Sequence, residues 1–288
     1  MMFFRKIQQL LLIMAGMLVW TSCEKDVILD LSDVEGQYVI VEANITDGEK
    51  IQWVKLSYSS SYYDVTRGQG INNASVKIES GDDVFIFEQW NPDTLPGYYY
   101  NTEISQQLEE KIYELSIEVE GEKFTAFSEL RPVPSMDSLS IKINPFSSLG
   151  FTQDTIYDIF VHFRDLPTEG NYYLFNYALN DTLQTPRPTD KGLVSDENLE
   201  ETVSLAIFNI NRNNLKDGDV ITLEIRSISR ENFDFYNIFF FQTDLSGNPF
   251  AGAPPANIPT NLSEGARGFF QVSATGRKSI IFHNENLE

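Results

Sequence analysis

The sequence predicts an all-β chain: two sandwich-type units with a single helix. Short β-branched and aromatic runs alternate in period two and are punctuated by Gly, Asp and Asn turns. A helical period surfaces once, between Ser229 and Thr243. Hydrophobic residues make up 42% of the 288 and aromatic residues 13%, enough for a sizeable core and too much for a disordered chain.

The chain opens with a leader. Arg5 and Lys6 precede an apolar run from Ile7 to Val19 that is interrupted by Gln8 and Gln9. As a helix this run reaches about 20 Å, short of the roughly 30 Å hydrocarbon core, so a signal peptide over residues 1–22 fits better than a membrane span. It ends in Trp20-Thr21-Ser22-Cys23, two small residues before the chain's only cysteine. With one cysteine, no disulfide within the chain can form. Residues 23–36 read as a polar tether.

Strands begin at Tyr38. Tyr38–Ile45 ends at the turn Thr46-Asp47-Gly48. In the next run Val54, Leu56 and Tyr58 share one face while Ile51 and Trp53 share the other. Val76 and Ile78 lead through Gly81-Asp82-Asp83 to Val84 and Ile86, and Gly97-Tyr98-Tyr99-Tyr100 starts another strand. Ile112–Val119 and Lys123–Phe127 flank Glu120-Gly121-Glu122, a hairpin. Seven strands in this stretch predict a sandwich over residues 37–133. Arg131-Pro132-Val133-Pro134 then interrupts pairing, because proline donates no backbone hydrogen bond, and marks the boundary.

Residues 134–288 resume the pattern. Leu139, Ile141 and Ile143 alternate, as do Tyr157, Ile159, Val161 and Phe163. Tyr172–Leu179 is aromatic-rich, Val203–Ile207 is short, and Leu215-Lys216-Asp217-Gly218-Asp219 turns into Val220–Ile228. Ser229 is placed to cap a helix whose apolar face holds Phe233, Tyr236, Phe240 and Phe241. After an irregular loop containing Asn248-Pro249 and Pro254-Pro255, Val272 and Ile280-Ile281-Phe282 close the sheet. Gly268 admits Phe269 and Phe270 to the core.

Acidic residues outnumber basic ones 42 to 21, a formal charge of −21. Loss of the leader would remove two more positive charges. Such an excess repels phosphate backbones and excludes a nucleic-acid partner. Two histidines, His162 and His283, and one cysteine leave little for a transition-metal site, and neither histidine neighbours a G-x-S-x-G nucleophile motif. No catalytic residue, cofactor or metal is expected. The stretch Asn209–Asn214 with Asp217-Gly218-Asp219 carries calcium-type ligands without the D-x-[DN]-x-[DN]-G spacing, which favours a polar turn. Asp196–Glu201 reads as the edge of a solvated loop. Tyr58, Tyr62, Tyr63, Trp90, Tyr98, Tyr99 and Tyr100 form an aromatic concentration suited to core packing, to stacking on sugar rings or to a protein interface.

Several of these segments resemble known types. Trp20-Thr21-Ser22-Cys23 resembles a bacterial lipobox, which implies acylation of Cys23. Glu24, Lys25 and Asp26 resemble the signal that sends Bacteroidota lipoproteins to the outer face of the outer membrane. Pro96-Gly97-Tyr98-Tyr99, then Tyr113-Glu114-Leu115-Ser116-Ile117 and a glycine hairpin, resembles immunoglobulin-like modules of the carboxypeptidase-regulatory type. Asp-(Ser/Thr)-apolar occurs at Thr94, Ser138, Thr155 and Thr182 and resembles the O-glycosylation acceptor of exported Bacteroidota proteins. Glu231-Asn232-Phe233-Asp234-Phe235-Tyr236, Gly247-Asn248-Pro249-Phe250, Pro254–Ser263 and Gly265–Phe270 together resemble the Bacteroidota lipoproteins of domain-of-unknown-function family 4249. The resemblance implies a non-enzymatic lipoprotein on the cell exterior, an accessory or ligand-binding subunit of a TonB-dependent outer-membrane transporter. The residues leave two alternatives open: a stand-alone carbohydrate- or peptide-binding surface protein, and a hydrolase. A neighbouring transporter gene favours the first reading, a polysaccharide gene cluster the second.

Overall fold

The computed structural model describes residues 37–60, 68–147, 154–244 and 258–284. The leader, Cys23, the tether with Glu24, Lys25 and Asp26, Tyr62 and Tyr63, and the loop around Pro249 and Pro254 lie outside the described residues. The described fold begins at the division between Gln37 and Tyr38.

The first seven strands fall where the alternation places them: β1 (Val39–Thr46), β2 (Gln52–Tyr58), β3 (Ser75–Ser80), β4 (Asp83–Gln89), β5 (Tyr98–Asn101), β6 (Ile112–Val119) and β7 (Glu122–Glu129). Their buried side chains alternate with exposed ones, as a sheet with one face inward requires. Val54 and Leu56 settle which face of β2 is inside. The second half adds β8 (Met136–Ile143), β9 (Ile156–Arg164), β10 (Tyr172–Leu179), β11 (Thr182–Leu183), β12 (Gly192–Ser195), β13 (Thr202–Asn211), β14 (Val220–Ile228), β15 (Ala266–Ser273) and β16 (Thr275–Ile281). One α-helix occurs among the described residues, α1, from Arg230 to Asp244.

In the first sheet, strand order departs from chain order at β2–β5 and β3–β6 and, over the longest span, at β15. The order runs β15-β1-β2-β5-β4-β3-β6-β7, with β15 parallel to β1 over eight residue pairs, Val39–Ala266 to Thr46–Ser273. β15 therefore returns across the expected boundary at residues 133–134. Its Ala266, Phe270 and Val272 share one core with Val41, Ile45, Leu56, Leu115 and Phe124. Only two residue pairs join β4 to β5, so the sheet folds back on itself around that core. At the other edge, β15 and β7 are stitched by side chains. Ser128 Oγ accepts from the Val272 N–H at 2.8 Å. The Asn261 amide donates to the Phe127 and Phe270 carbonyls, and its Oδ1 accepts from the Phe270 N–H. Gly268 stands where β15 presses on β1: a Cβ there would lie 2.0 Å from the Val41 carbonyl oxygen, at φ +106°.

The second sandwich faces β13-β9-β8 against a five-stranded sheet, β11-β10-β14-β16 with β12 also on β10. Val161, Phe163, Tyr173, Phe175, Leu223 and Ile225 fill the space between. Only Ala274 separates β15 from β16, so one extended segment supplies a strand to each sandwich. Val272 and Ile280 thus close two different sheets rather than one. β13 also proves longer than expected, continuing through the polar Asn209 and Asn211 because the Asn209 amide donates to the buried Asp158 carboxylate.

Ser229 caps α1 as expected, its Oγ accepting from the Asn232 N–H at 3.1 Å. Asn232 and Tyr236 turn inward, with Tyr236 against Tyr172, Leu174 and Ile228. Phe240 and Phe241 are exposed, contrary to the expected apolar face, while the helix packs through Phe233, Phe235 and Tyr236 in its first half. No helix among the described residues is long and apolar enough to cross a membrane.

Candidate functional site

An open cleft of about 590 Å³ lies where the start of α1, the end of β7 and the turn before β10 converge. Ile112, Phe127 and Tyr172 give it an apolar floor; Ile112 and Phe127 are 62% and 58% exposed. Glu129, Arg131, Glu169, Arg230 and Glu231 form its charged rim, with Ser229 and Asn261 between. Arg131 is held in place by Glu129 Oε2 at 2.8 Å and donates to the Gly170 carbonyl. Apolar and charged lining residues together suit a ligand or a protruding side chain from a partner. Glu231 and Asn261 belong to the motif that carried the family resemblance and line the cleft, and Asn261 also stitches β15 to β7.

Aromatic side chains form a second surface. Trp53 of β2 and Tyr98 and Tyr100 of β5 point outward from the first sheet, followed by Trp90 just beyond β4. The registers Trp53–Tyr100 and Lys55–Tyr98 set these rings side by side across adjacent strands. Trp53 meets Tyr98 at 5.6 Å between centroids and Trp90 meets Tyr100 at 5.0 Å, both tilted. Tyr99 points the other way, is buried, and bonds the Ile71 carbonyl. Trp53 did not stand out in the sequence; its only signal was the face it shares with Ile51.

Two polar groupings are buried more deeply. Glu224 accepts from Arg226 Nε at 2.6 Å and from both Arg277 nitrogens at 2.8 and 2.6 Å, with Asn176 beside it. Burial pushes the Glu224 carboxyl up, but Arg226 and Arg277 outweigh it and hold the group below its ordinary value. Lys191 donates to Asn176 Oδ1 and the Thr185 carbonyl. Burial and the nearby Arg226 charge push its ammonium down to about 8, against the pull of Glu224 and Asp190. On the outer face of β9, His162 Nε2 lies 2.7 Å from Ser140 Oγ, a contact between strands that sequence spacing did not reveal. His162 stacks on Phe160, and no acid among its described hydrogen bonds orients the ring.

Of the remaining sequence candidates, Thr94 sits in a turn, Thr155 just before β9, Thr182 at the start of β11 and Ser138 within β8. Thr94, Ser138, Thr155 and Thr182 are all exposed. Asn91 Oδ1 accepts from the Asp93 and Thr94 N–H groups, and Asn180 and Asp181 take positive φ in the tight turn before Thr182. In the calcium-type stretch, Asn211 and Asn213 donate to Asp154, while Asp219 accepts from Asn180 and the Lys216 N–H. No group of three His, Cys, Asp or Glu that could hold a metal occurs among the described residues. Asp196 does more than border a solvated loop: it accepts from the N–H groups of Gly170 and Asn171 and from the Asn171 amide, fixing the turn beside the cleft.

Fold and surface define an all-β protein of two packed sandwiches that share their last extended segment. The chain belongs to the family described as "Domain of unknown function (DUF4249)", which matches residues 24–279. Comparison with curated proteins finds no match. Among solved structures, the chain is similar to one titled "Cytokine receptor complex - Crystal form 1A", at 13% identity and TM-score 0.25, covering 67% of this chain and 85% of that one. It is similar also to the chicken CNTN1 FN1-FN3 domains, at 13% identity and TM-score 0.25, covering 67% of this chain and 63% of that one. Likenesses at that TM-score carry no weight for fold or function.

Proposed function

We propose that the protein is a non-enzymatic surface lipoprotein, an accessory or ligand-binding subunit of a TonB-dependent outer-membrane transporter. In this reading acylated Cys23 holds it in the outer membrane of a Bacteroidota cell, and Glu24, Lys25 and Asp26 direct it to the exterior. The observation that carries the reading is the cleft, where exposed Ile112 and Phe127 share the lining with five charged residues, of which Glu129 and Arg131 are paired. Exposed apolar side chains ringed by polar ones are the usual mark of a surface that meets a partner or ligand. The anchor follows from the leader: two or more acyl chains hold a protein stably, at about 0.8 kcal/mol per buried methylene.

Deleting the protein tests this. Uptake through the associated barrel is expected to fall while the barrel still assembles, and a Cys23→Ser chain, freed from the membrane fraction, does not restore it. Unchanged uptake in the deletion strain overturns the accessory role. Full membrane retention of the Cys23→Ser chain overturns the anchor.

A further inference from the structure

We propose that the aromatic strip across β2, β5 and the end of β4 is a binding platform for a neutral polysaccharide. This concerns a surface separate from the cleft and stands whether or not the transporter partnership holds. Trp53 with Tyr98 and Trp90 with Tyr100 form two tilted pairs, and Tyr98 and Tyr100, two residues apart on β5, place both pairs on the same face of the sheet. Polar groups border it. Lys55 lies over the Tyr98 ring and pairs with Glu42 on β1, and the Tyr100 hydroxyl donates to Glu88 at 3.2 Å. Ring faces beside carboxylate, ammonium and phenol groups match a pyranose, which presents a C–H face and a rim of hydroxyls.

Charge narrows the occupant. Glu42 and Glu88 at the border of the strip, on a chain of net charge −21, oppose an anionic glycan, a phosphate backbone or an anionic lipid surface. The cationic position over Tyr98 is already held by Lys55, which argues against a basic peptide. Trp53, Tyr98 and Tyr100 are anchored by their strands, and each of the four rings by its neighbour, so little side-chain freedom is lost on binding. Tyr98 and Tyr100 are about 7 Å apart along β5, each with a tryptophan beside it, an extent that suits a chain of sugars over a single one.

The test uses the full chain in mild detergent and soluble neutral hexasaccharides of β-linked glucose, xylose and mannose and of α-linked glucose. At least one is expected to bind, and Trp90→Ala, outside any strand, weakens it at least about tenfold, the scale of a lost hot-spot aromatic. Trp53→Ala, checked for an unchanged unfolding transition, does the same, while Phe127→Ala in the cleft leaves binding intact. Binding of none of the four sugars overturns the proposal. So does binding that survives both tryptophan variants, that falls only with Phe127→Ala, or that is replaced by binding of a basic peptide.

Discussion

Gly268→Val is expected to cost at least about 4 kcal/mol and to leave the chain without a cooperative unfolding transition. The β-carbon would be placed 2.0 Å from the Val41 carbonyl oxygen, and backbone cannot give way there without releasing β15 from β1. Conformation adds to the clash, since φ is +106°. Gly218→Ala separates the two effects: φ is +89°, yet nothing lies within 4 Å of the new β-carbon. That variant should lose only the left-handed penalty of about 1–2 kcal/mol. Denaturant unfolding of both variants checks the comparison, and equal losses would show that close approach of the strands is not what Gly268 provides.

Glu224→Ala is expected to destabilise by about 1–3 kcal/mol, because it takes their shared acceptor from Arg226 and Arg277, and water reaches the half-exposed Arg277 to offset part of the loss. The pH dependence supplies a second readout. The folded Glu224 carboxyl sits below its ordinary value, so its contribution is present above the unfolded value and is lost as pH falls through the folded one. Glu224→Gln removes that acid-side loss. Lys191 acts on the alkaline side with the same sign: its folded ammonium titrates near 8, below its unfolded value of 10.5, although here it is the charged form that folding disfavours. Between those values the unfolded chain binds more protons, so stability rises with pH, and Lys191→Met abolishes the rise. The comparison belongs below pH 10, before tyrosines ionise in the unfolded chain.

Local elements were legible in the sequence where one period dominated. Tyr172–Leu179 became β10 with the expected bounds, the Glu120-Gly121 hairpin formed, and Ser229 capped the helix. Long-range pairing was not legible. A parallel partner for β1 lies more than two hundred residues away and leaves no local mark, although Gly268 and the Asn261 region carried its signature as loop residues. Polar strand positions misled for a physical reason: Asn209 and Asn211 look like a turn until Asp158 and Asp154 accept from them. The cleft combines Phe127, Tyr172, Arg230 and Asn261 from four separate stretches, so no spacing could announce it. The aromatic strip was half visible through Tyr98, Tyr100 and Trp90, and only the β2–β5 register brought in Trp53.

The accessory role is tested most directly by affinity purification of the full chain from native membranes after mild detergent extraction. The account predicts that an outer-membrane β-barrel transporter co-purifies with the wild-type chain and is lost with Phe127→Asp, which places a charge on the cleft floor. Recovery of the lipoprotein alone, across several growth substrates, would contradict it.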